Sequence, residues 1–205
     1  MTEEKLQDDI GVAAATEASP EEKSLREKFG DQVLSVSAGL DCEVVVLARE
    51  CIAEACHYLK NTLGFEQIMD LCGVDNSALP GWSDASPRFE VVYNLLSVSK
   101  NRRLRLKVGA NERDLVDSVT EVWPTANWFE REAFDMYGII FNHHPDLRRL
   151  LTDYGFEGYP LRKDFPLTGR VEMFFDEAQW RCVYRPNQLT ERVLVERTWP
   201  GVDRG

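Results

Sequence analysis

Apolar residues recur along this chain with two different periods, and each change of period marks an element. Ser19-Pro20-Glu21-Glu22 opens a short helix: a Ser cap, Pro at the first helical position and Glu three residues after the cap. Leu25, Lys28 and Phe29 complete it and Gly30 stops it. Val33 to Ser37 and Cys42 to Ala48 then read as two strands around a turn at Gly39. From Arg49 to Leu63 the period returns to that of a helix, with Ile52, Cys56, Leu59 and Leu63 on one stripe and Gly64 as its stop. Phe65 to Leu71 reads as extended, and Pro80-Gly81 and Ser86-Pro87 mark a loop. The clearest hairpin joins Arg88–Val98 to Arg102–Val108, where Leu104, Leu106 and Val108 alternate with Arg103, Arg105 and Lys107. Leu115 to Val122 reads as a short helix that Pro124 restarts, and the next helix runs to Tyr137 with Gly138 as its stop.

Runs of adjacent strands without regular alternation with helices predict an α+β fold, a mainly antiparallel sheet with helices packed on one face. Residues 1–18 are acidic and Ala-rich, with little to bury, and read as a mobile N-terminus. Residues 19–138 read as the α+β domain. Beyond Gly138 no period is sustained apart from a helical turn expected at Pro145 to Leu151. A structureless stretch of this length is unusual inside a compact domain. With Phe174, Phe175, Trp180, Tyr184 and Trp199 in need of cover, residues 139–205 read as a long extended C-terminal interaction arm.

Composition narrows the functions. The chain has 205 residues and a net charge of −11, which argues against the basic face that nucleic-acid binding needs. No run approaches the roughly 18 apolar residues of a membrane helix, so membrane association is expected only through a partner. The opening Met-Thr-Glu-Glu-Lys is unlike a transit peptide, and the chain is expected to stay in the bacterial cytoplasm. Five Cys (42, 51, 56, 72 and 182) lack Cys-x-x-Cys spacing and read as reduced thiols. Five of the eight residues from Lys100 to Lys107 are basic, a strand face that is either solvated or turned toward an acidic surface.

The densest chemistry lies in Glu130-Arg131-Glu132-Ala133-Phe134-Asp135-Met136-Tyr137-Gly138. On a helix Arg131 and Asp135 are four apart and can pair, while Glu132 and Asp135 share an edge. Two of these acids could serve as a general acid/base pair, or as metal ligands joined by His143 and His144. In the structural reading Arg131 is tied to a neighbouring carboxylate, and Glu130 and Glu132 accept backbone or partner donors. His144 before Pro145 reads as a cap. There is no Gly-x-Gly-x-x-Gly or Walker loop, no Gly-x-Ser-x-Gly elbow and no His-x-x-x-His. The usual cues for nucleotide binding, acyl transfer and metal ligation are therefore missing.

Two further blocks follow, His144-Pro145-Asp146-Leu147-Arg148-Arg149-Leu150-Leu151-Thr152-Asp153-Tyr154-Gly155-Phe156 and Pro160-Leu161-Arg162-Lys163-Asp164-Phe165-Pro166-Leu167-Thr168-Gly169. Together with Glu-Arg-Glu-x-x-Asp-Met-Tyr-Gly, this ordered series closely resembles the 30-kilodalton subunit of the NADH-quinone oxidoreductases, the enzymes known as respiratory complex I. The likeness is densest from Trp123 to Gly169 and colinear but looser over residues 25–122. It departs at Tyr159, where many relatives carry His, and near Phe174-Phe175.

The resemblance implies a scaffold subunit of the hydrophilic arm. It would lie peripherally on the cytoplasmic side of the bacterial inner membrane, with no catalytic, cofactor-binding or metal-ligating residue of its own. FMN, iron–sulfur clusters and quinone would belong to partner subunits, chiefly those that hold the quinone site and the terminal iron–sulfur cluster. It places Glu130, Arg131, Glu132, Asp135, Tyr137 and Gly138 in a signature helix. His144, Pro145, Asp146, Arg148, Arg149, Asp153, Arg162, Lys163, Asp164, Phe165 and Pro166 fall in a docking segment. Three other readings stay open at this point. One is the equivalent subunit of a membrane-bound hydrogenase or formate hydrogenlyase. Another is a soluble metal-dependent hydrolase built on Glu132, Asp135 and His143 or His144. The last is an adaptor that docks an acidic partner through Lys100–Lys107.

Overall fold

A computed structural model describes residues 19–189 and divides the chain into two compact units, the first ending at Lys163 and the second beginning at Asp164. The first unit runs α1 Pro20–Phe29, β1 Val33–Ala38, β2 Glu43–Leu47, α2 Ile52–Asn61, β3 Gln67–Asp75, β4 Phe89–Ser97, β5 Arg102–Ala110, β6 Leu115–Asp117, α3 Ala126–Tyr137 and β7 Ile140–Asn142. The expectations for residues 1–18 and for Trp199 lie outside the described residues.

Strands β1 to β5 form one sheet in the order β1-β2-β5-β4-β3. Every neighbouring pair is antiparallel except β2 and β5, which run parallel. The fold is therefore α+β with a mixed, mostly antiparallel sheet. Alternate residues of the strands, among them Val45, Leu47, Leu71, Val91, Tyr93, Leu95, Leu104, Leu106 and Val108, share one core with Leu25 of α1, with Ile52, Cys56 and Leu59 of α2, and with Ala126 and Ala133 of α3. A period of two on the strands and about 3.6 on the helices brings these positions together.

Local signals act where the sequence puts them. The Ser19 hydroxyl accepts the Glu22 amide at 2.9 Å and donates to Glu43 at 2.7 Å, so the cap of α1 also ties the helix to β2. Most of the basic run on β5 is matched within the domain. Arg102 donates to Glu21 at 3.0 Å, Arg105 to Asn94 at 2.8 Å and Lys107 to Glu90 at 2.9 Å, while Arg103 is exposed.

Two expected elements take another form. Residues 115–122 are not a helix: Leu115–Asp117 is a strand paired in parallel with β7, and turns follow it. Val116, Val119 and Val122 are all buried, so a run of turns produces the three-residue spacing that suggested a helix. Their β-branched side chains, set among Asp117, Ser118 and Thr120, favour that outcome. Nor is Pro145 to Leu151 a helical turn, because its last amides are taken by a side chain from α3. The sequence changes character at residue 139, yet the first unit runs on to Lys163.

The second unit carries a hairpin that the sequence pattern did not reveal, β8 Val171–Asp176 paired antiparallel with β9 Arg181–Pro186. Strand β8 alternates only between exposed and half-buried and β9 is exposed at all but one position, so no strong period of two marks the hairpin.

Candidate functional site

Helix α3 ends on Gly138, whose φ of 78° lies in the left-handed region and whose amide donates to the Phe134 carbonyl at 2.8 Å. A β-carbon at that position would stand 2.6 Å from the Arg162 guanidinium and 2.7 Å from the Tyr159 ring. The helix end is thus packed directly against residues 159–162, and only glycine leaves them room. Two carbonyls that the helix leaves free are used there. Met136 accepts the Leu161 amide at 3.2 Å, and Tyr137 accepts Arg162 Nε at 2.6 Å. The Tyr137 ring lies over Gly73 of β3, where an added β-carbon would be 2.7 Å from it.

Asp135 is fully buried and collects five hydrogen bonds. Its Oδ2 accepts the amides of Leu150, Leu151 and Thr152 at 3.0, 2.7 and 2.9 Å. Its Oδ1 accepts the Thr152 hydroxyl at 2.6 Å and Arg149 at 3.0 Å. Burial alone would raise this carboxyl, but the Thr152, Leu151 and Leu150 bonds outweigh it and hold the group at about 2. Arg131 serves the same segment from its other side, donating to the carbonyls of Arg148 and Arg149 at 3.1 and 3.2 Å. The expected tie between Arg131 and a carboxylate is therefore replaced. The helix gives an acid to the loop's amides and a guanidinium to its carbonyls, which satisfies backbone that no helix or sheet pairs.

From Arg149 a column of alternating guanidiniums and rings runs back to the sheet. Arg149 stands 5.8 Å from the Phe156 ring and 5.3 Å from Tyr159; Arg162 stands 4.3 Å from Tyr159 and 4.9 Å from Phe89; Arg88 stands 5.0 Å from Phe89. Carboxylates clamp the column. Arg88 and Arg162 both reach Glu112, at 3.3 and 2.7 Å. Arg88 also grips Asp75 through two nitrogens at 3.3 and 3.0 Å. Asp75 then accepts the Lys163 amide at 2.9 Å. Burial works to raise Asp75, and its bonds from Arg88, Lys163 and Ser77 carry it well below the ordinary carboxylate range.

The family described as respiratory-chain NADH dehydrogenase, 30 Kd subunit, matches residues 45–171. The chain belongs to that 30-kDa subunit family. An NADH-quinone oxidoreductase subunit of Acidithiobacillus ferrooxidans is 53% identical over 156 residues, 75% of this chain and 77% of its own. Its namesake in Hydrogenovibrio crunogenus is 46% identical over 203 residues, 85% and 91% of the two chains. Among solved structures, the Nqo5 trypsin-resistant fragment (1-134) is 34% identical and superposes with a TM-score of 0.54, covering 62% of this chain and 98% of that one. A chain of a membrane-bound sulfane sulfur reductase from an archaeal respiratory complex, 20% identical with a TM-score of 0.57, covers 71% of this chain and 83% of that one and shares the fold alone.

Within this 30-kDa family member the other signature residues have distinct settings. Glu130 is fully buried and accepts the Val119 amide at 2.7 Å and the Ser118 hydroxyl at 2.6 Å. Glu132 is exposed on the outer side of α3. His144 Nδ1 accepts the Asp146 amide at 3.0 Å, so the imidazole caps a turn. Exposed Asp146 and Arg148 pair at 2.7 Å, and Pro145 and Asp153 are exposed beside them. Asp164, Phe165 and Pro166 fall in the second unit, where Pro166 accepts the Gly169 amide at 2.9 Å and Arg170 stands 6.0 Å from the Phe165 ring.

The hydrolase reading fails on donor chemistry. Among the described residues no group of three His, Cys, Asp or Glu side chains is placed to hold a metal ion, and both oxygens of Asp135 are already used by the chain itself. The hydrogenase reading yields to relatives that carry the NADH-quinone oxidoreductase name. An open cleft of about 700 Å³ is lined by residues such as Leu34, Trp82 and Lys107, and none of the signature residues borders it. Sequence reasoning missed Gly73, Asp75, Arg88, Phe89 and Glu112. Only Gly73, a glycine inside a strand, carried a signal of close backbone approach.

Proposed function

We propose that this chain is a cofactor-free scaffold subunit in the hydrophilic arm of a proton-translocating NADH-quinone oxidoreductase, supporting electron transfer without carrying it. It lies peripherally on the cytoplasmic side of the bacterial inner membrane. FMN, iron–sulfur clusters and quinone belong to its partners, chiefly the subunit that holds the quinone site and the one that holds the terminal cluster. The observation that carries this reading is the use made of the signature. Its buried acids and guanidiniums hold this chain's own backbone, through Asp135 on 150–152 and Arg131 on 148–149.

What remains for a partner is the surface so fixed. Trp128, Leu151 and Tyr154 are exposed on or after the signature helix, an apolar and aromatic composition common in the cores of protein interfaces. Helix α3 and the segment from His144 to Lys163 present that surface as a docking element. No helix among the described residues is long and apolar enough to cross a membrane, which is consistent with attachment through partners.

Purification of the tagged chain from its own membranes in mild detergent tests the reading. Co-elution of a flavin- and iron–sulfur-containing assembly that reduces quinone with NADH is the expected result. Recovery of the chain alone, with the assembly intact in the flow-through, would overturn it.

A further inference from the structure

Glu130 sits in a sealed pocket where several elements meet, and none of them brings it a fixed positive charge. Helix α2 contributes the fully buried Cys56 and β4 contributes the fully buried Tyr93, whose hydroxyl has no hydrogen-bond partner. Strand β6 contributes Asp117 near Tyr93, and Asp117 itself accepts Asn142 Nδ2 at 2.9 Å. The turn after β6 contributes Ser118 and Val119, bonded to Glu130 as described, with the Ser118 and Thr120 hydroxyls 2.9 Å apart. The loop after β7 contributes His144, its side chain fully buried and its Nε2 3.9 Å from Glu130 Oε2. Arg131, next along α3, turns away to the carbonyls of Arg148 and Arg149.

His144 directs both ring nitrogens at backbone groups and makes no hydrogen bond to Glu130. Nδ1 accepts the Asp146 amide at 3.0 Å, and Nε2 stands 3.2 Å from the Asn127 carbonyl. An ionised Glu130 would therefore be a buried charge held only by the Val119 amide and the Ser118 hydroxyl, with no hydrogen bond from a cationic side chain. A protonated Glu130 fits the same pocket: its hydroxyl donates to Ser118 Oγ, and Ser118 donates onward to Thr120.

We propose that Glu130 is a proton-binding site of the folded domain, and that release of this proton weakens the seam joining α3 to the Ser118–Val119 turn and the His144 loop. Burial pushes the carboxyl from an ordinary 4.5 up to about 7, against the opposing pull of its Ser118 and Val119 bonds. Between those two values the folded chain holds a proton that the unfolded chain has lost. Stability thus falls as pH rises through that window, by up to about tenfold in the ratio of folded to unfolded chain per pH unit.

Urea unfolding of the full chain from about pH 5 to about pH 8, compared with Glu130→Gln, reads this directly. The wild type is expected to lose stability toward alkaline pH, and the variant to lose most of that slope. Equal slopes would overturn the proposal. The Val119 amide, bonded to Glu130, gives a second readout in the wild-type chain by nuclear magnetic resonance, and it decides alone if the variant does not fold. A shift with its midpoint near neutral pH supports the site; a midpoint below about pH 5, where an ordinary carboxyl titrates, removes it.

Discussion

Asp135 does for residues 150–152 what an N-cap does for a helix: it supplies an acceptor to consecutive amides that have no other partner. Because the acceptor is charged and buried, its loss leaves three amides unsatisfied and removes the charge partner of Arg149, which keeps its bonds to Thr152 and Gly158. Asp135→Ala is expected to lower stability by about 3 kcal/mol in urea unfolding. The same residue governs the acid limb. Its folded carboxyl stands near 2 against an ordinary 3.8, so its contribution is complete above 3.8 and fades as pH falls toward 2. Acid unfolding of Asp135→Asn should start from a lower stability and show a shallower loss over that range. Gly138→Ala, which meets both a left-handed φ and the Arg162–Tyr159 pair, is expected to cost about 2 kcal/mol by the same measurement. An unchanged midpoint there would mean that the helix end can shift away from residues 159–162.

Among elements, the column of arginines and rings from Arg149 through Arg162 to Arg88 is what clasps residues 149–163 to the sheet. Arg162 uses Nε on Tyr137, Nη1 on Glu112 and its plane on two rings, and a lysine cannot reproduce that fork. Arg162→Lys should therefore accelerate limited chymotryptic cleavage at Tyr154 and Phe156 while the sheet stays resistant. Elements whose cause is local were legible in the sequence. The Ser19–Pro20 start of α1, the alternation of β4 and β5 and the Gly138 stop of α3 each carry their own signal within a few residues. Val116, Val119 and Val122 misled because a series of turns can repeat every three residues as a helix does. The clasp was not legible at all, since Asp75, Arg88, Glu112, Arg162 and Lys163 are brought together by sheet register and helix docking across up to 88 positions. The resemblance located its helix and segment, but not the partners inside this chain.

For the whole molecule, membership of the 30-kDa subunit family is shown, and the internal use of the signature supports the scaffold role proposed above. A scaffold and a catalytic subunit respond differently to damage. Weakening a scaffold reduces how much complex assembles and spares the turnover of each assembled copy, whereas removing a catalytic group does the reverse. The decisive measurement is NADH-quinone turnover per bound flavin, set beside the amount of assembled complex, in membranes carrying Asp135→Ala or Arg162→Lys. Scaffold function predicts less complex with unchanged turnover per flavin. Full assembly with turnover lost would contradict it and place chemistry in this chain.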